Sequence, residues 1–182
     1  MENLENIKEK IQITSATRED LPGMQEVFYR SWLATYPNEE LGITTEDIED
    51  RFKDSFTEEC FAKRWERIQN AKNEELFLAK IDGVVIGVCR VVKHTDRNQL
   101  QAIYILPEYK GKGIGTLLWD EVKKVIDPNL DTVVEVATYN TPAIAFYAKL
   151  GFEDTGRRFT DERFKLKSGA VIPEMEMAIK GK

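Results

Sequence analysis

Hydrophobic and polar residues alternate with a two-residue period in several parts of the chain, as they do in β-strands. The first such part is IQITSA, residues 11–16. LFLAKI and VVIGVCRVV flank Asp82-Gly83, a dipeptide that favours a type I′ turn, so these runs are predicted to form a hairpin. QLQAIYIL and TVVEVATY, residues 99–106 and 132–139, are predicted to be two further strands.

The segments between these strands space their apolar residues with the period of an α-helix. TREDLPGMQEVFYRSWLATY opens with a Thr-x-x-Asp pattern that resembles a capping box, and residues 37–72 space their apolar positions for one or two helices. A helix is also predicted over 113–126. AIAFYAKL should be another, with Thr141 as its N-cap, Pro142 as its first residue and Gly151 as its stop.

The last part of the chain, FEDTGRRFTDERFKLKSGAVIPEMEMAIK, is predicted to form two strands around a loop. The whole order predicts an α+β fold with a mixed sheet. The helix over 113–126 connects two strands as a crossover, which makes those strands parallel. With 182 residues and no repeat or linker, residues 1–182 are expected to form a single domain.

Composition narrows the classes of partner. The chain has 32 acidic and 26 basic residues, a net charge of −6, which disfavours nucleic acid and anionic membranes and favours a cationic substrate. Cys60 and Cys89 form no CxxC pattern and His94 is the only histidine, so no metal site is expected. The polar start and the lack of a long apolar run indicate a cytoplasmic protein with reduced thiols and no membrane segment.

The segment PEYKGKGIGT places Gly111, Gly113 and Gly115 between a predicted strand and a predicted helix. Backbone N–H groups of such a loop can converge on an anion, with the helix dipole behind them. The spacing matches neither a Walker A loop nor the dinucleotide fingerprint, which makes ATP and NAD poor candidates. On spacing alone, a phosphate site and a simple tight turn both remain open.

Two longer phrases carry a family resemblance. IYILPEYKGKGIG resembles the phosphate loop of the GNAT superfamily of acetyl-CoA-dependent N-acetyltransferases, which reads Arg/Gln-x-x-Gly-x-Gly/Ala. VEVATYNTPAIAFYAKLGF resembles the second signature of that family, in the expected order and separation. The resemblance is specific over residues 76–152, and Lys110 departs from it by replacing the usual Arg or Gln, which loses a bidentate fork.

The resemblance implies a mostly antiparallel central sheet flanked by helices, with coenzyme A between two splayed central strands. It implies acetyl-CoA as co-substrate and no metal. It places the diphosphate on the loop amides and the pantetheine arm along the main chain of one splayed strand, with Asn140 on its amide side. A strand-terminating cap is the alternative for Asn140. The cofactor-binding residues expected on this basis are Ile103, Ile105, Lys110, Gly111, Lys112, Gly113, Ile114, Gly115, Thr116 and Asn140.

The resemblance also implies that Tyr147 lies near the thioester sulfur, where a tyrosine can protonate a departing thiolate. Core packing is the alternative for this residue. The amine must lose a proton before it attacks, and Glu135, Tyr104 and Glu108 are candidate bases acting through water. His94 is expected in an exposed loop and both cysteines in partly or fully buried positions.

The expected reaction is acetyl transfer to a primary amine by direct attack in a ternary complex. A polyamine is the first acceptor to consider, and a protein N-terminus or lysine the second. A catalytically silent acyl-CoA sensor or interaction module is the alternative, and exposed strand edges allow a homodimer. Candidate linings of the acceptor site are Trp32, Tyr36, Glu39, Glu40 and Asp47.

Overall fold

The computed structural model describes residues 10–162 and 165–182. Five α-helices and seven β-strands lie within these residues. In chain order they are β1 Gln12–Ser15, α1 Leu21–Leu33, α2 Thr45–Phe52, α3 Glu58–Asn70, β2 Glu74–Ile81, β3 Val84–Lys93, β4 Asn98–Ile105, α4 Ile114–Val125, β5 Thr132–Ala137, α5 Thr141–Lys149, β6 Glu153–Thr160 and β7 Pro173–Ile179.

The strands form one sheet in the order β1-β2-β3-β4-β5-β7-β6. Only β4 and β5 are parallel, since α4 carries the chain back between them, and every other neighbouring pair is antiparallel. The predicted α+β fold with a mixed, mostly antiparallel sheet is therefore confirmed. The position of β7 between β5 and β6 is a long-range pairing that the local patterns do not contain.

The local turn chemistry explains most element boundaries. Asp82 and Gly83 have φ values of 49° and 81°, the positive angles that a type I′ turn requires, so the predicted hairpin is confirmed. Ahead of α1, the Thr17 N–H donates to Asp20 Oδ2 at 2.9 Å, which completes the predicted capping box.

The predicted N-cap of the last helix was wrong by one residue. Asn140, not Thr141, caps α5, because its side-chain oxygen accepts a hydrogen bond from the Ala143 N–H at 3.3 Å. Thr141 is the first helical residue and Pro142 the second, where its missing N–H still costs no intrahelical bond.

Two apolar clusters hold the elements together. The larger joins the sheet to α1 and α4 and includes Leu78, Val88 and Leu118, all fully buried. The smaller includes Ile48 of α2 and Ile172 before β7, so α2 and the last loop pack on each other. Cys89 lies in the larger cluster, Cys60 is half-buried and His94 lies in an exposed loop, as the sequence predicted.

Candidate active site

A cleft opens in the middle of the sheet where β4 and β5 separate. The two strands pair only at their beginnings, the last pair being Leu100 with Val134. The register between β3 and β4 shifts beside Gln101, so β4 carries one extra residue, a bulge that bends and twists a strand. Beyond this point the backbones of β4 and β5 no longer pair with each other.

The beginnings of both strands are fixed by one buried side chain. Asn98 is 1% exposed, and its Nδ2 donates to the carbonyl oxygen of Asp127 at 2.8 Å and to Thr132 Oγ1 at 3.3 Å. This amide joins β4, β5 and the segment before β5. Since the strands are held together at one end and bulged just after it, the separation is built into the sheet.

The resulting cleft has a volume of about 450 Å³. It brings together almost every site residue that the sequence predicted, although these come from distant parts of the chain. The residues of the predicted set that line it are Ile103, Ile105, Lys110, Gly111, Gly113, Ile114, Gly115, Thr116, Asn140 and Tyr147. Lys112 does not line it, because its Nζ lies 4.9 Å from the centre of the Tyr109 ring.

The three alternating glycines are required for two different reasons. Gly111 and Gly113 have φ values of 76° and 83°, left-handed conformations that side chains disfavour. Gly115 lies in α4 with ordinary helical geometry, but a Cβ there would come within 2.8 Å of the Phe146 ring. The first two glycines shape the loop, and the third allows α4 to approach α5 closely.

The loop and the start of α4 form a cradle for an anion. Thr116 and Leu117 both donate to the carbonyl oxygen of Gly113, at 3.1 and 3.2 Å, so Ile114 and Gly115 precede the first intrahelical hydrogen bonds. Their N–H groups therefore have no acceptor inside the helix, and the helix dipole adds positive potential there. Lys110 and Lys149 also line the cleft and add two cationic side chains. Sequence reasoning missed Lys149, since only the packing of α5 brings it to the cleft.

Tyr147 lies deep in the cleft and is 6% exposed. Its ring packs against Phe146 and Phe152, with centroids 5.3 and 5.6 Å away. Burial raises the pKa of its hydroxyl well above the ordinary value, because the phenolate would lose its hydration. The group is therefore a protonated hydroxyl facing the cleft.

Three tyrosines meet at the other end of the cleft. The hydroxyl oxygens of Tyr36 and Tyr104 lie 2.8 Å apart, and the Tyr139 hydroxyl donates to the Tyr36 carbonyl oxygen at 2.9 Å. Burial raises the pKa of all three hydroxyls, so they stay neutral. Trp32 packs on Tyr36 with ring centroids 4.3 Å apart, which makes this end of the cleft aromatic.

The acidic residues that could act as the base differ in their hydrogen bonds and in the direction of their pKa shifts. The Glu108 carboxylate accepts two hydrogen bonds from Arg30, at 3.0 and 3.1 Å, and its pKa is lowered by its own backbone N–H and by Arg30. Glu135 lines the cleft, and burial raises its pKa although Arg157 Nη1 lies 3.8 Å from its carboxylate. Glu174 of β7, which sequence reasoning missed, has its pKa raised to about 7 by burial and by the charges of Glu135 and Asp161.

The other predicted acceptor residues lie away from the cleft wall. Glu39 and Glu40 are exposed in the 3₁₀ turn Glu39–Leu41. Asp47 is 3% exposed, and its carboxylate is occupied by Thr44 and by the backbone N–H of Ser168. Asp47 therefore fixes α2 to the last loop rather than facing a substrate.

Residues 10–162 and 165–182 contain no helix long and apolar enough to cross a bilayer. In the same part of the chain, no group of three or more His, Cys, Asp or Glu side chains is arranged to hold a metal ion.

An anion cradle at a helix start, two splayed strands and a buried tyrosine hydroxyl together define an acyl-transfer site for a phosphate-bearing co-substrate. Residues 43–152 match the model of the acetyltransferase (GNAT) family, and the chain belongs to that family. It is an N-acetyltransferase with acetyl-CoA as its co-substrate.

Relatives and solved structures agree with this assignment. The chain is 30% identical over 150 residues to spermidine N(1)-acetyltransferase of Thermoplasma acidophilum, covering 80% of this chain and 91% of the relative. The structure resembles PaiA N-acetyltransferase from the same organism, solved in complex with coenzyme A, with a TM-score of 0.71, 25% identity and coverage of 94% and 99%. It also shares its fold with the ribosomal-protein-S18-alanine N-acetyltransferase of Escherichia coli, with a TM-score of 0.62, 20% identity and coverage of 93% and 92%.

Proposed function

We propose that this protein acetylates a primary amine of a small aliphatic polyamine, by direct attack of the amine on acetyl-CoA in a ternary complex. The observation that carries the proposal is the continuous cleft between β4 and β5. It connects the anion cradle at Gly111–Gly115 with the aromatic and acidic end at Tyr36 and Glu135, and Tyr147 lies along it.

The residues of the cleft fit coenzyme A chemically. When bound, acetyl-CoA supplies an activated acetyl group as a thioester. The loop N–H groups, with Lys110 and Lys149, would hold its phosphates. The main chain of Ile103 and Ile105 lies where β4 has left β5, so it can pair with an extended amide-bearing arm as with an added strand. Asn140 uses its side-chain oxygen for the cap of α5, and its amide N–H₂ group is the part that can face the cofactor.

Tyr147 is the proposed general acid. Burial raises the pKa of its hydroxyl, so the proton is present at physiological pH, and the hydroxyl lines the cleft where it can meet a departing thiolate. The Phe146 and Phe152 rings hold its own ring in place, which fixes the direction of the donation. Packing thus supports the proposed catalytic role of this tyrosine.

The acceptor end suits an aliphatic cation. Tyr36 offers aromatic surface and Glu135 offers negative charge at the cleft wall, in a chain with a net charge of −6. The named activity of the Thermoplasma relative, spermidine acetylation, points to the same class of acceptor. A protein N-terminus or lysine side chain carries the same primary amine and is the second candidate.

Mass spectrometry of the products formed from acetyl-CoA tests this proposal directly. Purified protein is incubated with spermidine, spermine, a lysine peptide, a peptide with a free N-terminus or an aminosugar. We expect monoacetylated spermidine or spermine as the fastest product. Acetylation of the peptides alone would replace the polyamine by a protein acceptor. Binding of acetyl-CoA without transfer to any of these amines would favour an acyl-CoA sensor.

A further inference from the structure

We infer that Glu174 is the general base that removes the proton from the ammonium form of the acceptor, an inference that rests on the proposed amine acetylation. None of the candidate bases predicted from sequence lies on β7. The assignment follows from the place that strand pairing gives to Glu174 beside the cleft.

Glu174 lies one strand away from the cleft wall, opposite the end of β5. Its pairing partner there is Ala137, the last residue of β5, which is 2% exposed. Glu135 lies two residues earlier on β5 and so points to the same face of the sheet as Ala137. Because alanine has only a methyl group, no large side chain of β5 stands at this position between Glu174 and the acceptor end.

The negative charge of Glu174 affects the three tyrosines at the end of the cleft. It contributes to raising the pKa of Tyr36, Tyr104 and Tyr139, which come from three different segments of the chain. Tyr104 belongs to β4, on the far side of the cleft from β7. Burial is the larger cause of all three shifts, and the shared contribution of Glu174 indicates that its carboxylate lies near the tyrosine cluster.

The charged groups around Glu174 leave its carboxylate basic near neutral pH. Burial raises the pKa of Glu174, and the negative charges of Glu135 of β5 and Asp161 after β6 add to this effect, so that the pKa is about 7. A base with a pKa near the working pH combines a useful ionised fraction with enough basicity. Glu135 has Arg157 as an ion-pair partner, and Glu108 is held by two hydrogen bonds from Arg30. Tyr104 is partly buried and its hydroxyl is hydrogen-bonded to that of Tyr36; desolvation raises its pKa, so it keeps its proton.

The proton balance of the reaction is complete with these groups. Glu174 accepts one proton from the ammonium, directly or through one water, which frees the nitrogen lone pair to attack the thioester carbonyl carbon. The new C–N bond forms, the C–S bond breaks, and Tyr147 gives its proton to the leaving sulfur. The second N–H proton that the nitrogen loses restores Tyr147 through solvent, and Glu174 releases its proton to bulk water.

The test compares Glu174→Gln with wild type over a range of pH, with spermidine as acceptor and kcat/KM as the readout. In the wild type, kcat/KM should level off above about pH 7, because the base is then ionised and can take a proton from the ammonium form of the acceptor. In Glu174→Gln it should be about 10²–10⁴-fold lower at pH 7 and should rise about tenfold per pH unit, because only free amine reacts. The Kd for acetyl-CoA should not change.

Glu176→Gln is the matched control on the same strand. The Glu176 carboxylate is held in an ion pair 2.7 Å from Arg157 Nη1 of β6, so its removal should leave the pH profile unchanged. A second acceptor, 2,2,2-trifluoroethylamine, is already neutral at the assay pH because of its fluorines. With this acceptor the defect of Glu174→Gln should largely disappear.

The outcomes distinguish failure of the Glu174 assignment from failure of the proposed amine acetylation. If the wild type acetylates spermidine and Glu174→Gln keeps both its rate within twofold and its plateau, Glu174 is not the base and the proposed function stands. If the plateau is lost in Glu135→Gln instead, Glu135 is the base. A wild type that binds acetyl-CoA but acetylates no amine overturns both.

Discussion

The hydroxyl groups of Tyr36 and Tyr104 lie 2.8 Å apart and join the chain after α1 to β4. A second link lies nearby, where the Ser31 hydroxyl donates to the Ile105 carbonyl oxygen at 3.1 Å. Together they fasten the end of α1 to the strand that forms one wall of the cleft. The shape of the acceptor end therefore depends on α1 as well as on the sheet.

Tyr36→Phe should weaken this fastening. Loss of one hydrogen bond, with a buried Tyr104 hydroxyl left behind, should lower the free energy of unfolding by about 0.5–1.5 kcal/mol. We expect KM for the amine to rise and the Kd for acetyl-CoA to stay constant, measured by steady-state kinetics and titration. Tyr29→Phe is the control, since the Tyr29 ring packs on Phe52 and Phe56 in the same region. Equal effects of both changes would contradict a specific role of the hydroxyl pair.

Tyr147→Phe tests the general acid. The change keeps the ring contacts with Phe146 and Phe152 and removes only the proton donor, so kcat should fall about 10²–10⁴-fold while acetyl-CoA affinity is retained. Rapid-mixing measurement of acetyl transfer gives the rate of the chemical step. A rate within twofold of wild type would show that the hydroxyl only packs in the core.

Gly111→Ala tests the loop against a control with the same backbone geometry. Gly111 and Gly156 have φ values of 76° and 82°, and a Cβ at either position would meet nothing within 4 Å. Both alanine variants should therefore lose about 1–2 kcal/mol of stability through backbone strain. Only Gly111→Ala should also weaken acetyl-CoA binding, as measured by calorimetry. Similar affinity in the two variants would remove the loop from the cofactor site.

Charge reversal distinguishes the two lysines of the loop. Lys110 lines the cleft, whereas Lys112 lies over the Tyr109 ring. Lys110→Glu should weaken acetyl-CoA binding by roughly tenfold, more at low salt than at high salt, and Lys112→Glu should have a smaller effect. Titrations at several salt concentrations measure both. A larger effect of Lys112→Glu would mean that this side chain leaves Tyr109 to reach the phosphates.

Asp47 should make the stability of the protein depend on pH below pH 4. Burial by itself would raise the pKa of this carboxyl, but hydrogen bonds from Thr44 and Ser168 outweigh burial and hold it at about 2, below the ordinary value of 3.8. The folded state therefore stays ionised where the unfolded state takes up a proton. The stabilisation is present above about pH 4 and is lost as the pH falls toward 2.

Asp47→Asn should remove this contribution. We expect a loss of about 1–2 kcal/mol at pH 7, because the variant loses the ionised cap of α2 and the link to the last loop. Denaturant unfolding at pH 2, 3, 4 and 7 should show the two proteins converging as the pH falls. A constant difference at all four pH values would contradict the lowered pKa of Asp47.

The sequence predicted the structure best where a short motif specifies its own backbone conformation. Asp82-Gly83 specifies its turn through the positive φ of both residues, and this held in the structure. The glycine turn between β4 and α4 could be predicted in the same way, because the backbone angles of Gly111 and Gly113 within the loop itself favour glycine. The cap of α5 was misplaced by one residue, since Asn140 and Thr141 can both cap and only the path out of β5 decides between them.

Lys149 and Glu174 could not be found from their own segments. Lys149 ends a helix and Glu174 alternates with methionines in a strand, so each is an ordinary surface position in its local pattern. What distinguishes them is their place in the tertiary structure: Lys149 lines the same cleft as Lys110, and Glu174 pairs with Ala137 of β5. Asp47 shows the opposite case, a carboxylate that resembled part of a binding wall and is occupied by hydrogen bonds of its own.

By itself, the sequence determined the order and type of the elements, the glycine turn before α4 and the family, because these depend on residues close together in the chain. The tertiary structure decided where the chain places its acids and bases. Strand pairing put β7 beside β5, and a bulge at Gln101 opened the cleft between β4 and β5. Burial then set the pKa of Glu174, since a carboxylate's affinity for its proton depends on the water and charges around it rather than on its neighbours in sequence.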